Sequence, residues 1–253
     1  MRRTFLAVAL AISASAQAAP IGVVNAGFEA DFAANNTFPV LIPQGWTVYD
    51  PDGIYNNSNR AVGVLNPTGS TFFPGGAPEG NNVALTWLDD GDLNNQHMGL
   101  TQVLTTDLAP STHYRLSVEV GNIDSGTGSP PFDVFGFFNI QGFPGYAVQL
   151  LAGGVLLAED NNSLGATLAE GTFGTSVVEF VSAANVLPGQ ALEIRLINLN
   201  LPGTPGNPGI EVDFDDVRLA ASPLAVPAPA LPPLLGGALC AWLAAARSRR
   251  RLM

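Results

Sequence analysis

The chain has 253 residues, of which 47% are hydrophobic and 12% charged, a composition typical of packed globular proteins and not of disordered ones. All ten basic residues are arginines and six of them lie near the two ends, so residues 19–223 carry four arginines against all 21 acidic residues, a net charge of −17. Such an acidic body excludes a nucleic-acid partner, because phosphate binding needs a basic surface, and it favours a divalent cation or a neutral polymer.

The N-terminus has the pattern of a secretory signal peptide over residues 1–18. Two arginines precede an apolar stretch from Phe5 to Ile12, and Ala16 and Ala18 form an A-x-A cleavage pattern. We expect cleavage after Ala18; an uncleaved buried helix is the alternative. The single cysteine, Cys240, lies near the C-terminus. The exported domain therefore cannot rely on an intramolecular disulfide.

Apolar runs with period-two alternation or continuous hydrophobicity predict β-strands between the two ends, separated by Gly, Pro, Asn or Asp. The predicted strands are Asn82–Trp87, Met98–Leu104, His113–Val120, Tyr146–Leu151, Val155–Leu157, Val177–Val181, Leu192–Leu199 and Ile210–Leu219. No segment has a sustained helical period. The sequence thus predicts an all-β protein, a jelly-roll β-sandwich over residues 19–221, with surface loops at 50–59, 68–81 and 121–131.

Three short motifs extend this interpretation. Asn25-Ala26-Gly27-Phe28-Glu29 opens the body, Gly45-Trp46 follows, and Asp215-Asp216-Val217-Arg218-Leu219 closes it. The set is similar to the galactose-binding-domain-like β-sandwiches of many carbohydrate-binding modules. The resemblance implies a β-sandwich whose first and last strands lie side by side.

Members of that family hold a structural calcium ion between the first and last strands, so the resemblance implies such an ion here. The matching acids are Glu29, Asp215 and Asp216, with Asp31 and Asp213 as neighbours. Calcium takes six to eight oxygen ligands, so carboxylates are suitable donors. The alternative is that these acids merely face solvent and pair with Arg218 or a turn amide.

Loop aromatics are the natural platform for a sugar ligand. The candidates are Trp46, Tyr49, Tyr55, Phe72, Phe73 and Trp87. Core packing is the expected role of Trp46, because a β-sandwich also needs large aromatics inside. Tyr55, within the polar loop GIYNNSN, is the predicted ligand-binding residue.

Motifs for catalysis are missing from the sequence. The two histidines, His97 and His113, have no zinc-ligand spacing, and no nucleophile elbow or phosphate-cradling loop occurs. The acidic turns Asp50–Gly53 and Asp89–Asp92 lack the distal glutamate of an EF-hand. We therefore expect no enzyme, with an extracellular hydrolase acting on polysaccharide as the alternative.

The C-terminal residues 222–253 form a segment unlike the body. Proline-rich residues precede an uncharged run from Leu231 to Ala246, which is about 24 Å long as a helix, against roughly 30 Å of bilayer hydrocarbon. A basic cluster follows. The proline-rich box is Val226-Pro227-Ala228-Pro229-Ala230, and the basic residues are Arg247, Arg249, Arg250 and Arg251.

This arrangement resembles the PEP-CTERM sorting signal that exosortases read, in its Val-Pro-x-Pro-Ala variant. The resemblance implies a transmembrane sorting helix, transient insertion in the inner membrane and cleavage by an exosortase. A permanent single-span anchor and a rhombosortase-type signal at Gly236-Gly237 remain open. The whole sequence then predicts an exported, non-catalytic protein of the cell surface or biofilm matrix, with extracellular polysaccharide as its ligand.

Overall fold

The computed structural model describes residues 17–89, 95–202 and 210–224. The predicted signal peptide up to residue 16 and the predicted sorting motif with its helix lie outside the described residues. Within the three described ranges, no helix is long and apolar enough to cross a membrane.

The described residues form eleven strands and one short 3-10 helix. The strands are β1 (Ala19–Ile21), β2 (Thr47–Tyr49), β3 (Arg60–Leu65), β4 (Val83–Leu88), β5 (Met98–Asp107), β6 (Thr112–Asn122), β7 (Tyr146–Ala152), β8 (Val155–Asn161), β9 (Thr172–Val181), β10 (Ala191–Asn198) and β11 (Glu211–Pro223); the 3-10 helix is Phe132–Phe135. The eight predicted segments correspond to β4 to β11. The three strands that the sequence did not predict are β1, β2 and β3.

Two antiparallel sheets make up the sandwich. One has the order β3-β4-β11-β6-β9, with β1 paired to the C-terminal half of β11. The other has the order β2-β5-β10-β7-β8. The prediction of an all-β sandwich is confirmed, and so is the pairing of the first and last strands, which places Ala19 opposite Ala221.

The main core lies between the sheets because alternate residues of each strand point to opposite faces. On β11, Val212 and Phe214 point inward and are fully buried. The predicted core role of Trp46 is confirmed, since its ring packs there and its Nε1–H donates to the Asn25 carbonyl at 3.2 Å.

A second apolar layer covers the outer face of the six-stranded sheet. Leu65 of β3 and Leu85 of β4 are buried there beneath Phe72, Ile123 and Ile140. The residues above them come from long loops, which fold back over the strands they connect. A face that would otherwise meet water is therefore enclosed.

The loops over this face are tied to each other. Asn36 donates from Nδ2 to the Thr127 carbonyl at 3.1 Å, and its own carbonyl accepts the Ser129 amide at 2.7 Å. Gly126 and Phe138 exchange two backbone hydrogen bonds. These links hold the segment 126–138 against the loop that follows β1.

Candidate active site

A cavity of 320 Å³ lies between the covering loops and the outer face of the six-stranded sheet. Its aromatic lining consists of Phe38, Phe72, Trp87, Phe132, Phe135 and Phe138, and its aliphatic lining of Val40, Ala61, Leu65, Leu85, Ile123 and Ile140. Its polar lining is Ser58, Asn59, Asp89 and Glu211. A concave, mostly apolar pocket with a few converging polar groups is the usual form of a small-molecule site.

Phe38 lies at the centre of the aromatic side chains that cover the cavity, and its ring contacts three others. Its ring centroid lies 4.3 Å from that of Phe132, 5.5 Å from that of Phe138 and 6.1 Å from that of Phe72. Phe138 in turn meets Trp87 edge-on at 5.9 Å, which joins these side chains to the sheet. The negative faces of such rings stabilise a nearby cation.

Strand register places a carboxyl group in this apolar setting. Glu211 at the start of β11 is the cross-strand partner of Trp87 on β4, which is itself opposite Ala61 on β3. Glu211 is 4% exposed. Burial, which disfavours the charged form, raises its pKa to about 8. The carboxyl group is therefore mostly neutral at pH 7 and can donate a proton.

A second carboxyl group stands beside it on the same face of β11. Asp213 is completely buried and receives no hydroxyl or amide donor from the described residues; its side-chain hydrogen bond is to Glu211. Burial and the neighbouring Glu211 carboxyl group hold the pKa of Asp213 well above its usual value. Gly121 lies opposite, and a Cβ atom there would be 3.0 Å from Asp213 Cβ. The glycine leaves room for the acid.

The acids predicted to bind calcium separate into two groups. Glu29 Oε1 accepts the amides of Asn81 and Asn82, at 2.7 and 2.6 Å, and Asp215 Oδ2 accepts the amide of Glu79 at 2.8 Å. Both acids therefore contact the loop 79–82. Asp216 instead receives Arg218 Nε at 2.6 Å, the alternative pairing considered from the sequence.

The two acidic neighbours also differ in their surroundings. Asp31 Oδ2 accepts the amide of Gln44 and the Nδ2 group of Asn25, so it fixes a loop. Asp213 shares the outer face of β11 with Glu211 but does not line the cavity; it lies opposite Gly121. Among the described residues, no group of three His, Cys, Asp or Glu side chains is placed to hold a metal ion.

Of the aromatic candidates, Phe72 and Trp87 line the cavity. Tyr55 does not: its ring packs on the main core and its hydroxyl donates to Asn57 at 2.9 Å. Tyr49 lies on the other sheet beneath the Arg195 guanidinium, 4.7 Å from the ring centroid. Neither histidine lines the cavity.

The sequence predicted only Phe72 and Trp87 of the cavity lining; Glu211, Phe38 and Phe138 are among the residues that it did not predict. The signal for Glu211 was present in EVDFDD, where acids alternate with apolar residues along a strand with no basic partner beside them. Because β11 is buried on both faces, the acids on its outer face lie beneath the covering loops.

Comparison with known proteins identifies the family. The family model of the HpiC1-like proteins, the HpiC1 cyclase model, matches residues 19–220. The chain belongs to the HpiC1-like cyclase family. No curated protein sequence matches it.

Solved structures of Stig cyclases agree with this family. Fisc from Fischerella sp. TAU, in complex with (3Z)-3-(1-methyl-2-pyrrolidinylidene)-3H-indole, has 36% sequence identity and a TM-score of 0.68 over 83% of this chain and 100% of that chain. A cyclase from Fischerella sp. TAU in complex with 4-(1H-indol-3-yl)butan-2-one also has 36% identity, with a TM-score of 0.69 over 82% of this chain and 100% of that chain.

Membership of the HpiC1-like cyclases corrects the sequence-based assignment. The family and its structural neighbours replace both the PEP-CTERM assignment and the galactose-binding-domain-like one, which are wrong. The predicted exosortase partner, membrane insertion, surface or matrix localisation and polysaccharide ligand depended on them and are wrong as well. The signal peptide stays a prediction.

The predicted absence of catalysis is wrong for the same reason. The family consists of cyclases, which are enzymes, and the neighbouring structures hold small molecules. The alternatives of a polysaccharide hydrolase and of a permanently anchored surface protein are also replaced. Histidines and nucleophile motifs are not needed for proton transfer, because a buried carboxyl group with a raised pKa, such as that of Glu211, can also donate a proton.

Proposed function

We propose that this protein is a cyclase for an apolar, indole-containing substrate and that Glu211 is its proton donor. The observation that carries the proposal is the Glu211 carboxyl group, which lines an aromatic cavity and has a pKa of about 8. A proton donor that works near neutral pH needs a pKa in that range. The indole compounds in the Fischerella cyclase structures support an indole for this cavity.

The proposed chemistry is an isomerisation. The Glu211 carboxyl group donates its proton to an unsaturated carbon of the substrate, and a cation forms. A second unsaturated carbon of the same molecule attacks the cation, so that one carbon–carbon bond closes a ring. A proton then leaves a neighbouring carbon and returns to the Glu211 carboxylate. The product has the mass of the substrate.

The surrounding residues support each part of this chemistry. The rings of Trp87, Phe38 and Phe138 stabilise the cation and present no nucleophile to it. The apolar walls keep water away from it. Asp213, whose pKa is also raised, keeps its proton and hydrogen-bonds the Glu211 carboxylate once Glu211 has donated, so it acts by position.

The experiment is a turnover assay of the full-length protein with indoles that carry an alkenyl side chain, run in D₂O. We expect an isomeric product that has gained one deuterium at the protonated carbon. Glu211→Gln removes the acid but keeps the shape, and Glu159→Gln is the control, because Glu159 is exposed on the other sheet. Equal turnover by Glu211→Gln and the wild type would exclude the assigned donor.

We further infer a structural calcium ion near Asp215 and Glu79. Asp215 is fully buried, and burial together with the negative charge of Glu79 raises its pKa to about 8. At Gly27, a Cβ atom would collide with Glu79 Oε2 and lie 3.6 Å from Asp215 Oδ1. A pair of carboxylates cradled by glycine suits a cation that main-chain oxygens complete. Glu29, on the loop that follows β1, supports this site from outside by accepting the amides of Asn81 and Asn82.

The sandwich over residues 19–221 is the domain to which we assign this function. Its jelly-roll classification is also our proposal. Two packed antiparallel sheets, with a crossing order in each, support it. In this proposal, calcium holds the loop 79–82 against β11 at Asp215, which is four residues from Glu211. The ion takes no part in the reaction.

A further inference from the structure

The cavity has a polarity gradient along the strands that form its floor. On β4 and its continuation, Leu85, Trp87 and Asp89 share the outer face, because side chains alternate along a strand. The four-residue interval from Leu85 to Asp89 spans about 13 Å. One end of the floor is thus aliphatic, the middle is aromatic and the other end carries a carboxylate.

The neighbouring strand repeats the gradient. Leu65, Ala61 and Asn59 follow one another along β3 and the loop before it, all on the cavity side. Asn59 and Asp89 are joined by their main chains: the Asp89 amide donates to the Asn59 carbonyl at 2.8 Å, and Asn59 Nδ2 donates to the Asp89 carbonyl at 3.1 Å. The polar end is therefore a fixed part of the cavity.

At this end the Asp89 carboxylate has no hydrogen bond or ion pair with any side chain of the described ranges. Asp89 is exposed at the mouth. The other acid of the lining, Glu211, is mostly neutral at pH 7, so Asp89 supplies the formal charge of the described lining.

No arginine of the described residues lines the cavity to offset this charge. Arg115, Arg195 and Arg218 lie elsewhere, close to Glu179, Glu193 and Asp216. Arg60 precedes Ala61 on β3, so its side chain belongs to the opposite face of that strand.

We propose that the mouth formed by Asn59, Trp87 and Asp89 binds a protonated basic nitrogen of the substrate. This inference rests on the proposed function and narrows its substrate class to amine-bearing indoles. The Asp89 carboxylate pairs with the ammonium charge and the Trp87 ring face adds a cation–π contact. Asn59, whose Oδ1 already accepts from Asn56 Nδ2 at 2.7 Å, holds the main chain of Asp89 in place. The aliphatic end takes the apolar part, and the reacting carbon lies between them beside Glu211.

The distance between Asp89 and Glu211 predicts how far the basic nitrogen of the substrate lies from its protonated carbon. Glu211 faces Trp87 across the sheet, and Asp89 lies two residues beyond Trp87, about 7 Å along the strand. The basic nitrogen is therefore separated from the protonated carbon by roughly that distance. A two- or three-carbon chain on an indole ring covers such a span.

The test is isothermal titration of the full-length protein at pH 7 with three probes: tryptamine, which is cationic, 4-(1H-indol-3-yl)butan-2-one, which is neutral, and indole-3-propionate, which is anionic. We expect tryptamine to bind about fivefold more tightly than the neutral ketone, as for a partly exposed ion pair, and the anion to bind most weakly. Asp89→Asn should remove this order and leave the affinity for the ketone unchanged. Asp107→Asn, at an exposed acid on β5, should keep it.

The outcomes separate the two proposals. If the ketone binds but tryptamine binds no better, or if Asp89→Asn keeps the preference for tryptamine, the amine site is overturned and the cyclase proposal stands. If none of the three indoles binds, the indole cavity itself is overturned and the amine site falls with it.

Discussion

Two buried acidic sites in the same sandwich have opposite properties. Asp160 on β8 is 9% exposed and accepts hydrogen bonds from the hydroxyls of Ser176, Tyr146 and Ser163, at 2.6, 2.6 and 2.9 Å. Burial alone would raise its pKa, yet these donors offset that effect and the pKa of Asp160 is lowered. Glu211 and Asp213 are buried more deeply than Asp160 and receive no hydroxyl or amide donor from the described residues, and their pKa values are raised.

The difference shows that three hydroxyl donors can offset the effect of burial and keep an acid ionised. Two main-chain amides are not enough at Asp215, where burial still raises the pKa to about 8. Asp160 joins β7, β8 and β9 across the edge of the two sheets, so its charge is used for stability. The Glu211 pair lies under apolar loops, where its proton is available to a molecule in the cavity. Four predictions test this comparison.

The largest effect is expected on turnover when Glu211, the proposed proton donor, is substituted. Glu211→Gln should lower turnover at least 100-fold, roughly the contribution of a positioned general acid. Thermal unfolding at pH 7 should be little changed, because glutamine replaces a neutral group of the same size. Asp160→Asn should keep turnover near the wild-type value in the molecules that fold. Loss of turnover through unfolding of Glu211→Gln would break the comparison.

Removing the structural anion should cost stability instead. Asp160→Ala leaves three hydroxyls without their acceptor, and we expect the free energy of unfolding to fall by about 3 kcal/mol in urea titrations. Asp213→Asn should change it by less than about 1 kcal/mol, since asparagine is close in shape to the neutral acid. A larger loss at Asp213 than at Asp160 would contradict the assignment of the two sites.

The pH dependence of stability should differ in sign. The pKa of Glu211 rises from 4.5 to about 8 on folding, so its contribution is full below 4.5 and is lost as the pH rises through about 8. The pKa of Asp160 falls on folding, so its contribution is present above the usual 3.8 and is lost as the pH falls through the folded value. Unfolding free energies measured from about pH 5 to pH 8 should therefore decline, and less steeply in Glu211→Gln. An unchanged slope in this variant, with Glu159→Gln as control, would argue against a raised pKa.

Calcium should give the smallest effect. It binds the folded loop 79–82 in our proposal, so a saturating concentration should raise the melting temperature by about 5 °C. Asp215→Asn should lose this response, and Asp216→Asn should keep it, because Asp216 is paired with Arg218. A shift that survives in Asp215→Asn would place the ion elsewhere.

Much of the fold could be predicted from the sequence, because β4 to β11 have alternating or continuous apolar runs between turn residues. The strands β1 and β2 have three residues each, too few for a period to show. β3 was missed although RAVGVL is apolar: it carries a glycine at Gly63, where a Cβ atom would come 2.6 Å from the Pro39 carbonyl oxygen of a covering loop.

The site was harder to predict, because it depends on loops that the pattern of the strands does not describe. EVDFDD suggested calcium ligands, and Asp215 does lie near the loop 79–82. The roles of Glu211 and Asp213 follow from their cover, which comes from Phe38 and from the segment 126–138, far away in sequence. The covering loops decide whether an acid on the strand contacts water, a hydroxyl group or an aromatic ring.

The protonation state of Glu211 tests the central claim most directly. Infrared difference spectra of the wild type and Glu211→Gln, recorded from acid to alkaline pH, isolate the carbonyl stretch of the protonated acid. The account predicts a protonated Glu211 at neutral pH that disappears with a midpoint of about 8. A carboxylate at Glu211 already at pH 6, with no protonated signal lost in the variant, would contradict it.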